Sequence, residues 1–539
     1  MASLIKDNFN ILNGEKMLQS LISKVPVGMI ERFEHYLLND YHRTKRFLNS
    51  VDPELLEVIS QKKALSVFRA MAVQTPAYKQ FLAKKKINPV RIKTIEDFNA
   101  LVPATDKENY VKKFSYELRC REGHLPVHGN VDESGGTSGI ATNWIHDITE
   151  EDLLFKAVNF EVSYSFGGDQ RNLFVISAWS SGPWATGIKF CELMERISLV
   201  KNTASDTKDI INTLKMFGKK RYYLIGGYPP FIKNLIDDNK DQINWKEYNI
   251  DLVTGGEGVT LEWVYHIKKQ LKPTAHIVSS YGASDIDIGI GFETPLSFFI
   301  REKVSQNQAL RDALFGKKDA PMIFQYNPTI HYIKEVVSTE GKSEYEITLL
   351  DKSVAVPKIK YNLHDESRKF TYKEMMYYLE KHDNLFWHDF VQKSGGKMED
   401  VLHLPFLCIF GRSDGTLSFD GANVFPNQIE RAILRDDELE KKTNRFKIEK
   451  KYDKTHNVQF HVHIELKLKN GRNSTLLRQY GKVILDGLMD LNPDFKESYT
   501  KNTKLKPMVH LYPSGHPFFK VDDVKAKNMY IVKNANGVK

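Results

Sequence analysis

GRSDGTLSFDGANVFPNQIE, residues 411–430, is the stretch that decides the fold. It places an arginine, Arg412, and two carboxylates, Asp414 and Asp420, in a turn bounded by glycines. TLSF reads as a short strand. PNQIERAIL then starts a helix with Pro426 in its first turn, where a missing N–H loses nothing. Beyond it, VQFHVHIELKLK (458–469) alternates strictly, with Val458, Phe460, Val462, Ile464, Leu466 and Leu468 on one face and polar residues on the other. That is the pattern of a half-buried antiparallel strand. A helix (TLLRQYGKVILDGLMDL) and a last strand (KPMVHLY) follow. One sheet face covered by two helices makes a small α+β C-terminal domain, residues 412–539. Charged turns between domains are usually solvated linkers, but Asp414 stands where a hinge residue would absorb a backbone rotation.

Upstream, residues 1–411 have a different grain. The lead-in to about residue 120 reads as helical: YHRTKRFLNS and PELLEVISQKKALSVFRAMAVQ carry apolar residues at three- and four-residue spacing. From about residue 125, apolar runs ended by Gly/Pro turns alternate with helical stretches: NLFVISAW (172–179), YYLIGGYPP (222–230), DLVTGG (251–256) and AHIVSSYG (275–282). Strand–helix alternation with buried-looking strands argues for a large α/β domain with a largely parallel sheet.

The composition sets outer bounds. The chain has 539 residues, 41% hydrophobic and 27% charged, which excludes disorder and supports a sizeable core. The net charge of +9 suits anionic small molecules, yet there is no Lys/Arg stripe of the kind a nucleic-acid binder needs. Three dispersed cysteines, Cys120, Cys191 and Cys408, exclude a disulfide scaffold and a Cys-rich metal site. The opening residues lack a signal-peptide pattern, and no run reaches the ~18 apolar residues of a membrane span. A cytoplasmic location is expected.

Two further segments bear chemistry. ESGGTSGIAT (133–142) interleaves Gly135, Gly136 and Gly139 with the hydroxyls of Ser134, Thr137 and Ser138. Glycines let backbone N–H groups converge on an anion, and hydroxyls add donors, so such a loop can wrap phosphates. It also reads as a plain hairpin loop. It is not a Walker A loop: no GK[ST] follows, TNWIHDI reads as a strand, and the next helix opens with Thr149 and Asp152 spaced as a capping box. Second, Tyr281-Gly282-Ala283-Ser284-Asp285 follows a buried strand, where open α/β sheets bind ligands. An aromatic ring there can stack on a base, a hydroxyl can reach phosphate, and a carboxylate can hold Mg²⁺. Gly255-Gly256-Glu257 ends the preceding strand in the same way.

Taken in order, these segments resemble the adenylate-forming superfamily of acyl- and aryl-CoA ligases, in particular its phenylacetate–CoA ligase-like branch. FNALVPATDKENY (98–110), IGGYPPFIKNL (225–235) and IKYNLHDE (359–366) support the match, which spans nearly the whole chain. The resemblance implies ATP-dependent activation of a small carboxylic acid to an acyl-adenylate. Transfer to a thiol would follow, most readily that of CoA or another phosphopantetheine. It implies that Ser134–Gly139 close on the β- and γ-phosphates. Gly255–Glu257, Tyr281 and Gly282 would frame the adenine, and Ser284 would lie near the α-phosphate. Asp285 would ligate Mg²⁺ where the family usually has Glu, and Asp365 and Arg412 would hold the ribose. Asp414 would be the hinge and Lys525 the catalytic lysine. Lys520 rivals Lys525, because Val524 and Asn528 replace the usual neighbours. The family's phosphate loop usually ends in lysine, whereas this one runs Ile140-Ala141-Thr142.

Trp179, Trp184 and Tyr228, with Phe231, lie where the acyl pocket is expected and suit an aromatic or medium-chain acid. Large aromatics at strand ends are also ordinary core. Transfer to a carrier protein or an amine, and a nucleotide-binding relative without turnover, are the alternatives. His461, His463 and Glu465 share a strand face, which an amphipathic strand produces without any metal.

Overall fold

The computed structural model describes residues 22, 24–134, 142–181, 185–316, 320–339, 341–413, 416–467 and 474–519. The helical lead-in forms as its periodicity predicts. Tyr41–Ser50 is capped by the Asp40 side chain, and Pro53–Gln74 is capped by Asp52 with Pro53 opening the first turn. Leu56, Ile59, Val67, Phe68 and Met71 of the longer helix are buried. Val67, Phe68 and Met71 belong to a core shared with the strands that follow the central sheet, and Leu56 packs with Leu48 and Phe160.

A hairpin comes first: β1 (Gly129–Ser134) pairs antiparallel with β2 (Thr142–Asp147). The helix after it spans Ile148–Phe166, and its cap is Asp147, which accepts from the Thr149 N–H; the Thr149/Asp152 capping box does not form. The chain then lays down β3 (Leu173–Ser177), β4 (Leu199–Asn202), β5 (Tyr222–Gly227), β6 (Asn249–Thr254), β7 (Ile277–Ala283), β8 (Asp287–Phe292) and β9 (Met322–Gln325). A three-stranded sheet is made of β10 (His331–Val337), β11 (Ser343–Leu349) and β12 (Tyr361–Asn362). Next, β13 (Asp365–Phe370) and β14 (Phe406–Arg412) return to the central sheet, whose nine strands run β13-β14-β9-β8-β7-β6-β5-β3-β4.

The sheet is mixed rather than largely parallel. The pairs from β7 to β4 are parallel, and those from β7 to β13 antiparallel. The apolar runs found in the sequence are the parallel half, buried on both faces by helices. The antiparallel half is spelled with charge, as in Asp365–Phe370, so its pattern does not announce a strand.

After β14 come a short hairpin, β15 (Leu417–Phe419) with β16 (Ala422–Val424), and the helix Pro426–Ile433. The hairpin turn is Asp420-Gly421, with φ of 48° and 82°. Asp-Gly is favoured in two-residue hairpin loops because both positions need positive φ. A three-stranded sheet follows: β17 (Thr443–Tyr452), β18 (Val458–Leu466) and β19 (Met508–Tyr512). β18 is antiparallel to β17 but parallel to β19, and the helices Ser474–Leu491 and Pro493–Lys501 make the crossover. The apolar face of β18 joins this domain's core. Its other face is buried too, because β19 and Phe518 cover His461, His463 and Glu465. Half-burial was the expectation there. Among the described residues no helix is long and apolar enough to cross a membrane.

Candidate functional site

The end of β7 brings Tyr281 to the ends of β13 and β14. Asp365 and Arg412 are register partners on those two strands, and Arg412 Nη1 reaches Asp365 Oδ1 at 3.5 Å. The Tyr281 hydroxyl donates to Asp365 Oδ2 and shares a 2.6 Å hydrogen bond with the Tyr345 hydroxyl. Its ring stacks on Phe324 at 5.4 Å. Burial, then the Asp365 charge, push the Tyr281 phenol well above its ordinary range, so it remains a donor. Three residues singled out from separate segments of the sequence therefore meet here.

The strand carrying Arg412 is fixed immediately beyond it. The Ser413 N–H donates to the His364 carbonyl at 2.7 Å, its hydroxyl donates to Glu344, and Lys342 binds its carbonyl. Asp414 lies outside the described residues.

A second polar group is built around Ser134, the last residue of β1. Its hydroxyl accepts from Trp144 Nε1 at 2.8 Å and from Lys107 Nζ at 3.2 Å. Gly135, Gly136, Thr137, Ser138 and Gly139 lie outside the described residues. Asp285 uses one oxygen to pair with Lys107 at 3.0 Å and the other to accept from the Tyr361 hydroxyl at 2.7 Å. An ammonium thus occupies the place a cation would take. Mg²⁺ takes near-octahedral oxygen ligands, and a hydrogen-bonded carboxylate keeps lone pairs for one, so these contacts are compatible with the metal role expected for Asp285. Ser284 and Gly282 are half-buried beside it.

Gly255-Gly256-Glu257 faces the C-terminal domain. Gly256, at φ 83°, and Gly421 both abut the Tyr228 ring: a Cβ on either would come within 2.6 Å of it. Glu257 accepts from the Asp420 N–H at 3.0 Å and pairs with Lys450. In this arrangement Glu257 and Tyr228 hold the two domains together. Trp179 is buried, edge-on to Phe190 at 4.9 Å and pressed against Gly226. Trp184 and Lys525 lie outside the described residues, as does Lys520. Near the domain contact, burial and then Glu257 push the Asp420 carboxyl up to about 7.

Several residues of this crevice were not singled out from the sequence: Lys107, Trp144, Phe324, Tyr345, Lys358 and Tyr361. The lysines left a trace. AVPKIKYNL places cations inside an otherwise apolar run, which is unusual unless they are needed there. His461, His463 and Glu465 bind their neighbours instead of a metal: His463 to Glu449 at 2.8 Å, His461 to His510 at 2.7 Å and Glu465 to Arg445 at 2.7 Å. Among the described residues, the one group of side chains close enough to hold an ion is His146, Glu150 and Glu151. There the Lys189 ammonium already pairs with Glu151 at 3.1 Å.

No protein-family model and no curated protein matches the sequence. Solved structures do match. 2-Hydroxyisobutyryl-CoA ligase in complex with 2-HIB-AMP and CoA, in the thioesterification state, is 14% identical with a TM-score of 0.59, over 90% of this chain and 91% of that one. Its open conformation, with the same ligands, gives 0.51 at 13% identity, over 89% and 92%. The chain thus has the fold of the adenylate-forming ligases, a large α/β domain with a smaller C-terminal domain.

Proposed function

We propose that this protein uses ATP to activate a small-molecule carboxylic acid as an acyl-adenylate, then passes the acyl group to a thiol, releasing AMP and pyrophosphate. The observation that carries the proposal is the convergence of Tyr281, Asp365 and Arg412, with Ser134 linked through Lys107 to Asp285, four residues beyond Tyr281. A carboxylate facing an arginine beneath a strand end suits a ribose, and the neighbouring lysines suit its phosphates. The ligase with the same fold holds an acyl-AMP and CoA. That supports CoA, or another phosphopantetheine, as the thiol; an amine or a carrier protein is the alternative acceptor. The phenylacetate–CoA ligase-like branch and a cytoplasmic setting complete the proposal.

A carboxylate oxygen attacks the α-phosphorus, and the bond to pyrophosphate breaks. The acid now carries AMP as its leaving group, which a thiol can displace. Two anions must meet in the first step, so the protein's part is positioning and charge neutralisation. Asp365 and Arg412 fix the nucleoside, and Tyr281 orients the Asp365 carboxylate. Lys525 would bridge carboxylate and phosphate. Asp285, beside Lys107 and Tyr361, would hold Mg²⁺, which when bound would add positive charge next to the phosphates. With the boundary near residue 412, rotation at Asp414 would withdraw Lys525 and admit the thiol.

The test is acid-dependent ATP–pyrophosphate exchange across aryl, fatty and hydroxy acids, with Lys525→Ala as control. Exchange with at least one acid, lost in the variant, is expected. No exchange with any acid overturns the proposal, and unchanged exchange in the variant reassigns the lysine. Thioester formed on adding CoA separates the thiol from the other acceptors.

A further inference from the structure

Lys358 is a buried lysine to which no described residue supplies a paired counter-charge. It lies just before β12 and is 6% exposed. Its ammonium sits over the Trp144 ring, 4.1 Å from the centroid, and 5.6 Å from that of Tyr361. Among the described residues no carboxylate forms an ion pair with it and no acceptor takes a hydrogen bond from it. Of the carboxylates that act on it from a distance, Asp285 is engaged by Lys107 and Tyr361. Glu150 is engaged by His146 and the Ala355 N–H. Arg119 and Lys107 add positive charge from the other side. Burial first, and then these cations, push the Lys358 ammonium down to about 7.

A buried ammonium needs a partner, and an aromatic face makes good only part of its lost hydration. The same Trp144 binds Ser134, and the second ammonium, Lys107, bonds Ser134 directly and lies 5.5 Å from the Trp144 ring centroid. Two lysines thus flank the foot of the glycine-rich segment, whose own far end, Ile140-Ala141-Thr142, carries no cation.

We infer that Lys358, with Lys107 beside it, forms the anion subsite for the terminal phosphates of the nucleotide. The inference rests on the adenylation reading of this crevice. It assigns the subsite a polyphosphate, the ligand class whose charge density matches two ammonium groups about one aromatic ring. The Asp285 carboxylate keeps Lys107 in place until that anion arrives.

The experiment titrates the full chain by calorimetry with sodium pyrophosphate and, separately, with AMP, in the wild type and in Lys358→Met. Both ligands are expected to bind the wild type. The variant should melt higher than the wild type in their absence, because an unpaired charge is gone. It should bind AMP as the wild type does and pyrophosphate at least about tenfold more weakly, the worth of one charge-assisted contact. Should Lys358→Met fail to fold, Lys358→Gln carries the same expectation. Wild-type pyrophosphate affinity in the folded variant overturns the inference, as does a wild type that binds AMP but not pyrophosphate. A wild type that binds neither ligand, and supports exchange with no acid, sinks the adenylation reading as well.

Discussion

The molecule carries two dense polar clusters, one at the strand ends of the central sheet and one on the sheet of the C-terminal domain. In the second, all four ring nitrogens of His461 and His463 have partners: His510, Gln459, Glu449 and Tyr512. Burial pushes His463 down to about 4, so it is neutral, and the rings of His461, His463 and His510 stack. That cluster is closed. The strand-end cluster is not: Lys358 has no counter-ion among the described residues, and Tyr281 and Arg412 are only half-buried. A site is marked less by the number of chemistry-bearing residues than by bonding capacity left unmet. Three histidines on one strand pair look more like a metal centre than a lone lysine between aromatic rings looks like an anion site, yet only the lysine lacks what its chemistry requires.

Substitutions on each side sharpen or break this contrast. Asp365→Asn removes the charge facing Arg412, and should lower kcat/KM for ATP in the exchange assay by about 100-fold, since an unpaired partner of a buried pair costs several kcal/mol. Near-normal exchange would take the strand-end crevice out of the chemistry. Gly421→Ala puts a Cβ at positive φ and against Tyr228. Thioester formation should fall about tenfold with exchange unchanged, as strain of 1–3 kcal/mol falls on the domain contact alone. Equal losses in both half-reactions would mean that the contact also serves adenylation.

His463→Leu leaves Glu449 without its histidine, and should destabilise the C-terminal domain by about 2 kcal/mol in urea titration while exchange stays within about twofold. Loss of exchange there would reverse the comparison. The smallest effect is in pH. Asp420 is raised to about 7 in the docked fold, so the fold holds a proton that the unfolded chain gives up near 3.8. Its stability is unpenalised at low pH and declines as pH rises towards 7. Asp420→Asn should flatten that slope in melting curves between about pH 4 and 7.

The legible parts of the fold were those where one force dominates. Pro53–Gln74 and the parallel strands could be read because burial alone dictates their residues. β13 could not, since Asp365, Arg368 and Lys369 are there for pairing across strands and for the crevice. In the candidate site, Tyr281, Asp365 and Arg412 were each visible in a motif, and their meeting came from register. Lys107 and Lys358 were harder, because a lysine in a chain with 77 basic residues says nothing until its burial is known. Glu257 and Tyr228, expected beside the adenine and the acyl group, also touch the C-terminal domain. A single sequence does not show which of two surfaces a strand-end residue faces.

Arg412 ends the last strand of the large domain, and the clamp on Ser413 follows one residue later. The strand proposed to meet the nucleoside is thus clamped one residue before the proposed hinge. Nucleotide bound there would register directly as slower amide exchange along Phe406–Ser413.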